Sequence, residues 1–509
     1  MARYGLCGPS YKAISQNFDD EIADNWICEI SGSQNAKTTM GMFSAPGRKE
    51  FADLVNETSV PEDFTLNGRM FAAASHFYEI DAAGNVTDRG ALNGQPLSKP
   101  MIRANETQLL ILSNGDLFIF TLATNILTAV NMAQFNGPVQ QIEFCDGYFL
   151  ATIQNSHTFQ QSNLEDGTTW DGLNIATISL FPDNFTSMGV SGRNPVFYSL
   201  KKFAVYYNAG AGFPVFIPIS NALGEDGAGA TFATTKLDNT LFWLDEDERG
   251  AFVARRLSGA TGERVSTHAT ELAWQSYTTP SDAIGWTYQE NGHTYWMLRF
   301  VAQNETWGYD VASGLWHQRS SFNENFGIRQ AERATCHAYC FGKHLVGDWA
   351  SGKIYEQSSK YNTDDGHMIV RTRRSPTISK ENEWIYFSEA RFDIETGLSP
   401  TADDIAMWTA VYGTAPLLDG NGVSRPVQMI LRWSNDGGRT WSNDRILSLR
   451  FPGEFGKLVR KTMLGRGRNR LWEIVLSDPI PAAIADGFVY GGTDYQPSER
   501  LSDQMRKVS

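Results

Sequence analysis

The segment LLILSNGDLFIF, residues 109–120, shows most clearly how this 509-residue chain folds. Two short apolar runs flank Asn114 and Gly115. Because Asn and Gly adopt the positive φ values that a two-residue hairpin turn requires, the segment predicts a strand, a tight turn and a second strand. The order of these residues therefore predicts an antiparallel β-hairpin.

Similar hairpin patterns recur along the chain on both sides of this segment. Apolar runs bounded by Gly, Asn and Asp lie at residues 77–86, 145–153, 286–298 and 343–355, and amphipathic helical periodicity is scarce. Radial repetition of small antiparallel sheets hides their edges and produces a β-propeller. We therefore predict an all-β fold with a β-propeller of about six blades over residues 61–365. A pair of β-sandwiches is the alternative architecture.

The two ends of the chain differ from this repetitive region. Residues 366–490 contain longer apolar strands, and residues 1–60 contain turns with a Gly-Pro near the start. We predict that residues 1–60 and 366–490 pack together as a β-sandwich-like platform from which the propeller projects. Residues 491–509 are polar, and we expect them to form a loosely ordered tail.

The charge and cysteine content limit the classes of protein to consider. The chain has 57 acidic and 43 basic residues, a net charge of −14, which argues against a free DNA-binding protein with a basic footprint. It is compatible with a protein past which DNA slides without sticking. The five cysteines, an odd number at low density, imply no disulfide framework. We expect no stable membrane insertion, because no apolar run approaches the length of a membrane span.

One short motif resembles part of an enzyme family. The segment SNDGGRTW, residues 434–441, fits the Asp-box pattern through Ser434, Asp436, Gly438 and Trp441. The Asp can accept backbone N–H groups, the Gly permits a positive φ, and the Trp is expected to pack beneath the turn. Sialidases contain such turns, so a glycan-binding or sialidase-like propeller is the alternative function. The motif itself stabilises a hairpin and is not catalytic.

The sequence contains little else that suggests chemistry. Glycoside hydrolysis normally uses two facing carboxylates, and the densest acidic cluster, residues 245–248, is expected on a solvated hairpin tip. Cys336, Cys340 and His344 lack the second ligand pair of a zinc finger. Phosphate-binding loops, dinucleotide fingerprints and nucleophile elbows are absent from the sequence. We therefore expect no enzymatic activity, no catalytic residue, no cofactor and no metal.

One basic segment stands out in this acidic chain. Six cationic side chains lie within fourteen residues that contain no acid: Lys457, Arg460, Lys461, Arg466, Arg468 and Arg470. Such a run can contact DNA phosphates or an acidic protein surface, and we favour the protein partner. The alternative is a solvated strand pair whose arginine stems cover apolar surface.

The order of several motifs resembles one family of viral proteins. The residues that carry the resemblance are GPSYKAIS (8–15), DNWICEI (24–30), FSAPG (43–47), the elements at 147–149, 159–162, 166–170 and 181–183, the hairpin at 345–355, and the ending described above. This order is similar to that of the packaged-DNA stabilisation, or tail hub (nozzle), proteins of short-tailed bacteriophages. Ile27 and Ala45 depart from the aromatic residue and the Thr of that family.

The resemblance implies a structural component of the virion tail, assembled in the host cytoplasm. Such a protein forms a ring, with a homohexamer expected, below the portal and adaptor proteins. It extends the DNA channel, retains the packaged genome and carries tail fibres or tailspikes. Phage DNA passes through the lumen, and we expect acidic side chains to line it.

Overall fold

The computed structural model describes residues 2–15, 19–33, 37–180, 183–210 and 212–493. Within these ranges the helices are α1 (His268–Gln275), α2 (Ala402–Tyr412) and two short 3₁₀ turns at Met132–Gln134 and Pro280–Asp282. No described helix is long and apolar enough to cross a membrane. Most of the predicted polar tail, from residue 494 onward, and residues 181–182 of the family resemblance lie outside the described residues.

Six strands come before the first propeller blade. They are β1 (Ala2–Gly5), β2 (Tyr11–Lys12), β3 (Asp20–Asp24), β4 (Trp26–Ile30), β5 (Met40–Ser44) and β6 (Gly47–Asp53).

Six antiparallel groups of four consecutive strands then follow in sequence; the first five are separate sheets, and the sixth continues into a larger sheet. Their strands are β7 (Glu62–Leu66), β8 (Arg69–Ala73), β9 (His76–Ile80) and β10 (Val86–Ala91); β11 (Met101–Ala104), β12 (Gln108–Ser113), β13 (Asp116–Thr121) and β14 (Ile126–Ala129); β15 (Val139–Cys145), β16 (Tyr148–Ile153), β17 (Thr158–Asn163) and β18 (Asp166–Thr177); β19 (Phe185–Ser191), β20 (Asn194–Ser199), β21 (Phe203–Asn208) and β22 (Phe216–Gly224); β23 (Thr235–Leu237), β24 (Thr240–Glu246), β25 (Phe252–Ser258) and β26 (Thr261–Arg264); and β27 (Ile284–Glu290), β28 (His293–Phe300), β29 (Glu305–Asp310) and β30 (Leu315–Asn323).

A further sheet closes the ring. After β31 (Ile328–Ala331), which pairs with β30, it is built from β32 (Ala334–Cys340), β33 (Lys343–Asp348) and β34 (Lys353–Ser358), with β6 as its outer strand. The first strands of the seven sheets lie side by side in a circle, with β32 between β27 and β7. The predicted β-propeller is therefore confirmed. Its described sheets number seven, because the N-terminal strand β6 completes a last blade.

The hairpin at residues 109–120 has the turn that its sequence predicts. Asn114 and Gly115 have φ of 51° and 86°, and Ser113 pairs with Asp116 across the turn between β12 and β13.

The predicted boundary at residue 60 placed β6 in the platform, whereas β6 pairs with β34 of the propeller. This pairing covers a sheet edge that three consecutive strands alone leave open.

The remaining strands come from the C-terminal part. They are β35 (Thr363–Asp364), β36 (His367–Met368), β37 (Arg371–Arg374), β38 (Ile378–Ser379), β39 (Ile385–Ile394), β40 (Gln428–Ser434), β41 (Arg445–Ser448), β42 (Val459–Thr462), β43 (Arg466–Gly467), β44 (Asn469–Leu476) and β45 (Ala483–Gly492).

N-terminal and C-terminal strands share both platform sheets, as the predicted fold requires. One sheet has the order β4-β5-β45-β39-β42, and β1 pairs with β45. The other has the order β3-β37-β44-β40-β41, and one parallel pair, Asp24 with Gln318, joins it to the blade strand β30. A continuous apolar core includes Trp26, Met42 and Trp472 from both ends of the chain. This core fixes the two termini to each other.

Candidate interaction surface of the platform

The edges of the two platform sheets meet at β41 and β42. β41 is the last strand in the order of one sheet, and β42 is the last strand in the order of the other sheet. The two strands are in contact. Among the described residues, β41 pairs with β40 and β42 pairs with β39, and each is an edge strand. Backbone groups along sheet edges are available to a partner.

The structure brings five of the six predicted basic residues to this edge. Arg460 and Lys461 lie on β42, opposite Arg391 and Ala390 of β39. Arg466 lies on β43, which also pairs with β39. Lys457 precedes β42, Arg468 follows β43, and both side chains are exposed. Arg460 lies 3.4 Å from Glu389 Oε1, and Lys461 is half-buried.

Arg470 is different, and its assignment as a contact residue is wrong. It is 1% exposed, and its guanidinium donates to Asn435 Oδ1 at 2.7 Å and to the carbonyl oxygens of Leu464 and Arg466 at 2.6 Å each. The cation lies 4.6 Å from the Phe387 ring centroid, and burial lowers the pKa of Arg470 to about 10. β44 turns this side chain inward, where it satisfies backbone carbonyls.

Exposed apolar side chains lie in the same segment as the cations. Ile446, Phe451, Phe455, Leu458 and Met463 are all exposed, and Met463 is 79% exposed. We call residues 445–468, together with Trp384, the basic–apolar surface. Sequence analysis missed its apolar members because exposure cannot be determined from residue type.

Trp384 connects two of these cations. Its ring, 42% exposed, lies 4.6 Å from the Arg466 guanidinium and 4.9 Å from that of Arg468. Such cation–π contacts hold the charges in place while leaving their outer donors available. The one acid in residues 445–468, Glu454, accepts the backbone N–H of Phe451 at 3.0 Å within its own loop. The exposed Glu381 and Glu383 precede Trp384 in the chain.

The Asp-box segment forms a turn with internal hydrogen bonds. Asp436 accepts the backbone N–H of Thr440 at 2.9 Å and the hydroxyl of Ser434 at 2.7 Å, and these bonds hold the pKa of that carboxyl below its ordinary value. Gly438 has a φ of 89°, and its N–H donates to Ser434 Oγ at 2.9 Å. The carboxylate is therefore used by the turn itself.

Trp441, the last residue of the motif, lies beside Gly438 of the turn and also contacts two arginines. It is half-buried, and its ring lies 4.9 Å from the Arg374 guanidinium and 5.0 Å from that of Arg432. Both arginines pair with Glu473, at 2.8 Å and 2.5 Å. The indole is placed by this charge cluster, which the motif alone does not reveal.

The acidic cluster at residues 245–248 is also structural, and its first member is not solvated as expected. Asp245 is 3% exposed, on β24, and accepts a 2.7 Å hydrogen bond from Arg255 Nε. Burial raises the pKa of Asp245 to about 6 although Arg255 opposes the shift. Asp247 accepts the backbone N–H groups of Arg249 and Ala251 at 2.8 Å each. These carboxylates hold the strand and its turn.

The cysteines and histidines of the possible metal site have other partners. Cys336 lies 3.3 Å from the carbonyl oxygen of Val60, and His337 Nε2 lies 3.0 Å from His344 Nδ1. Burial lowers the pKa of His337 to about 3. Within the described ranges, no group of three or more His, Cys, Asp or Glu side chains is arranged to hold a metal ion.

Sequence analysis missed a second arginine-rich element, β37, with the sequence Arg-Thr-Arg-Arg. Arg373 is 1% exposed and donates to the carbonyl oxygens of Leu6 and Pro9 at 2.7 Å each, and it pairs with Glu21. Arg371, fully buried, donates to Ser44 Oγ at 2.5 Å. These side chains join the N-terminal segment to the C-terminal strands.

A cavity of about 210 Å³ is lined by residues of the innermost strands, including Glu62, Asp63, Arg103, Lys236 and Trp286. Asp63 is 5% exposed, and burial raises the pKa of its carboxyl well above its ordinary value.

The closed ring of sheets, with a platform built from both termini, defines a β-propeller protein. The family model described as Bacteriophage P22 Gp10, β-propeller, matches residues 8–361. The chain belongs to this family and is a structural bacteriophage protein of the tail type. The β-strands after residue 361, including the basic–apolar surface, lie beyond the matched range.

Similarity to individual proteins is weaker. No curated protein sequence matches the chain. Among solved structures, the computationally designed Ika8 protein has a TM-score of 0.38 and 8% identity, covering 61% of this chain and 100% of its own. PorZ of Porphyromonas gingivalis has a TM-score of 0.36 and 11% identity, covering 67% and 44%. The extracellular domain of BT4673 from B. thetaiotaomicron has a TM-score of 0.42 and 7% identity, covering 70% and 43%.

Proposed function

We propose that this chain is the ring-forming subunit of a tail hub, or nozzle, in a short-tailed bacteriophage. The observation that carries the proposal is the match to the P22 Gp10 β-propeller family over residues 8–361. In this role, six copies surround the DNA channel below the portal and adaptor proteins and carry tail fibres or tailspikes. The ring retains the packaged genome and conducts it on ejection, without enzymatic activity.

The size of the propeller cavity supports a particular path for DNA. A cavity of about 210 Å³ is roughly 6 Å across, whereas the major groove of duplex DNA alone is about 12 Å wide. DNA therefore passes through the lumen between subunits and not along a propeller axis. The net charge of −14 supports a lumen wall that repels phosphates, so that DNA slides without sticking.

The alternative, a sialidase-like or glycan-binding propeller, receives less support. Its one motif is the Asp box, and Asp436 is engaged by Ser434 and Thr440 within the turn. Turnover of a host polysaccharide that is lost on changing a single carboxylate would favour this alternative.

The proposal is tested on virions. Antibodies against this chain should label the tail end of intact particles, and particles assembled without it should lose packaged DNA to added nuclease. Quantitative amplification of nuclease-protected DNA measures this loss. Labelling of the head alone, or full DNA retention without the chain, would contradict the proposal.

A further inference from the structure

We infer that the basic–apolar surface binds an acidic face of a second copy of this chain and forms the head-to-tail contact between neighbouring ring subunits. The inference rests on the proposed function, and it assigns a partner and an orientation to a surface that lies beyond the family match.

The composition of the surface favours a protein partner over DNA. Cations such as Arg460 and Arg466 alternate with exposed apolar side chains, among them Phe455, Leu458 and Met463. DNA backbones are contacted by cations, polar side chains and backbone N–H groups, and phosphates offer nothing to an exposed Phe or Leu. Protein interfaces are enriched in aromatic residues, Met and Arg. The apolar side chains also exceed what is needed to protect a sheet edge, for which charges suffice.

The charge of the rest of the molecule identifies the partner as another copy. The surface carries seven cations: Arg445, Arg450, Lys457, Arg460, Lys461, Arg466 and Arg468. Its one acid is Glu454, whereas the whole chain has 57 acids and 43 bases. The other faces are therefore more acidic than the whole, and a second copy offers the complementary charge at the same concentration as the surface itself.

The same charges also determine the symmetry. Two basic–apolar surfaces cannot face each other, because like charges directly opposed are strongly unfavourable. The surface must therefore meet a different face of the next copy, which is a heterologous contact. Such contacts either close into a ring or continue as a filament. A ring is the arrangement that the proposed function requires.

The decisive experiment compares charge reversal at this surface with the same change elsewhere. One variant carries Arg460→Glu with Lys461→Glu. The control carries Arg249→Glu with Lys360→Glu, which changes the same charge at two exposed positions on the propeller. Native mass spectrometry and sedimentation velocity across a concentration series measure assembly, and circular dichroism checks the fold. We expect rings from the wild type and the control, and association at least about 100-fold weaker in the variant, the equivalent of two tenfold steps.

A second variant, Phe455→Ser with Leu458→Ser, removes apolar area without changing charge, and we expect it to weaken assembly as well. The inference is overturned if the wild type remains monomeric, or if both variants still form rings. It is also overturned if the wild type binds a short DNA duplex and charge reversal removes that binding while rings persist. Persistent rings in both variants leave the proposed function intact, because that proposal depends on labelling and DNA retention in virions.

Discussion

The platform contains two arginine-rich segments that look alike in sequence and behave in opposite ways. In β37, Arg371 and Arg373 are almost completely buried, and their donors are occupied by oxygens from distant parts of the chain. In the basic–apolar surface, Arg460, Arg466 and Arg468 remain exposed. A basic run therefore becomes an interaction surface only where the fold does not already occupy its guanidinium groups.

The largest expected effect is on stability, from Arg373→Met. The change leaves the carbonyl oxygens of Leu6 and Pro9 without this donor, and it leaves the Glu21 carboxylate without its ion-pair partner. Breaking a buried pair of this kind costs about 3–5 kcal/mol. Urea unfolding followed by tryptophan fluorescence measures the loss. Arg468→Met is the matched control, and equal stability of the two variants would remove the distinction between the segments.

Arg470 tests the distinction between buried structural arginines and exposed arginines, because it lies close in sequence to exposed cations but is itself buried. Arg470→Met should lower the free energy of unfolding by about 2 kcal/mol, because Asn435 Oδ1 and the carbonyl oxygens of Leu464 and Arg466 lose a charged donor. It should leave ring assembly unchanged. Arg466→Met should do the reverse, weakening assembly while the protein stays folded. Paired measurements of unfolding and sedimentation separate these outcomes, and a shared phenotype would contradict the assignment of Arg470.

Raising the salt concentration should affect the contacts of the basic–apolar surface in the wild type but not those of β37. Raising NaCl from 0.1 M to 1 M shortens the screening length from about 10 Å to about 3 Å. Assembly through exposed cations should therefore weaken, as measured by sedimentation velocity. The buried contacts of Arg371 and Arg373 should be insensitive, since solvent ions do not reach them. Assembly that strengthens with salt would show that apolar contacts alone carry the interface.

The smallest expected effect is at the Asp-box turn. Asp436 accepts hydrogen bonds that hold this turn, as the arginines of β37 donate hydrogen bonds that hold the platform. The folded pKa of Asp436 is below its ordinary value, so its stabilisation is present above about pH 4 and is lost as pH falls further. Asp436→Asn should lower the thermal midpoint at pH 6, and the difference from the wild type should shrink at pH 3. A difference that is constant with pH would contradict this, and assembly should not change.

Local patterns predicted the architecture well. Asn-Gly turns such as Asn114-Gly115 encode hairpins within a few residues, and this repetition gave the propeller. The closing strand β6 could not be predicted, because its partner β34 lies about 300 residues away and nothing local specifies that pairing. The last blade and the boundary at residue 60 depend on this long-range contact.

The candidate surface was predicted only in part, for a similar reason. Charge density identified Lys457 to Arg470, but burial is a property of the fold, so Arg470 was grouped with exposed cations that it does not resemble. The exposed Phe455 and Met463 could not be recognised, since apolar residues in a β-rich chain are normally expected in its core.

The central claim is that the basic–apolar surface joins neighbouring copies around a DNA channel. Electron cryomicroscopy of the assembled wild-type protein tests it most directly. We predict a closed ring in which residues 445–468 of each subunit are covered by an acidic face of the next, with acidic side chains towards the lumen. A ring in which residues 445–468 face the lumen or remain exposed to solvent would contradict it.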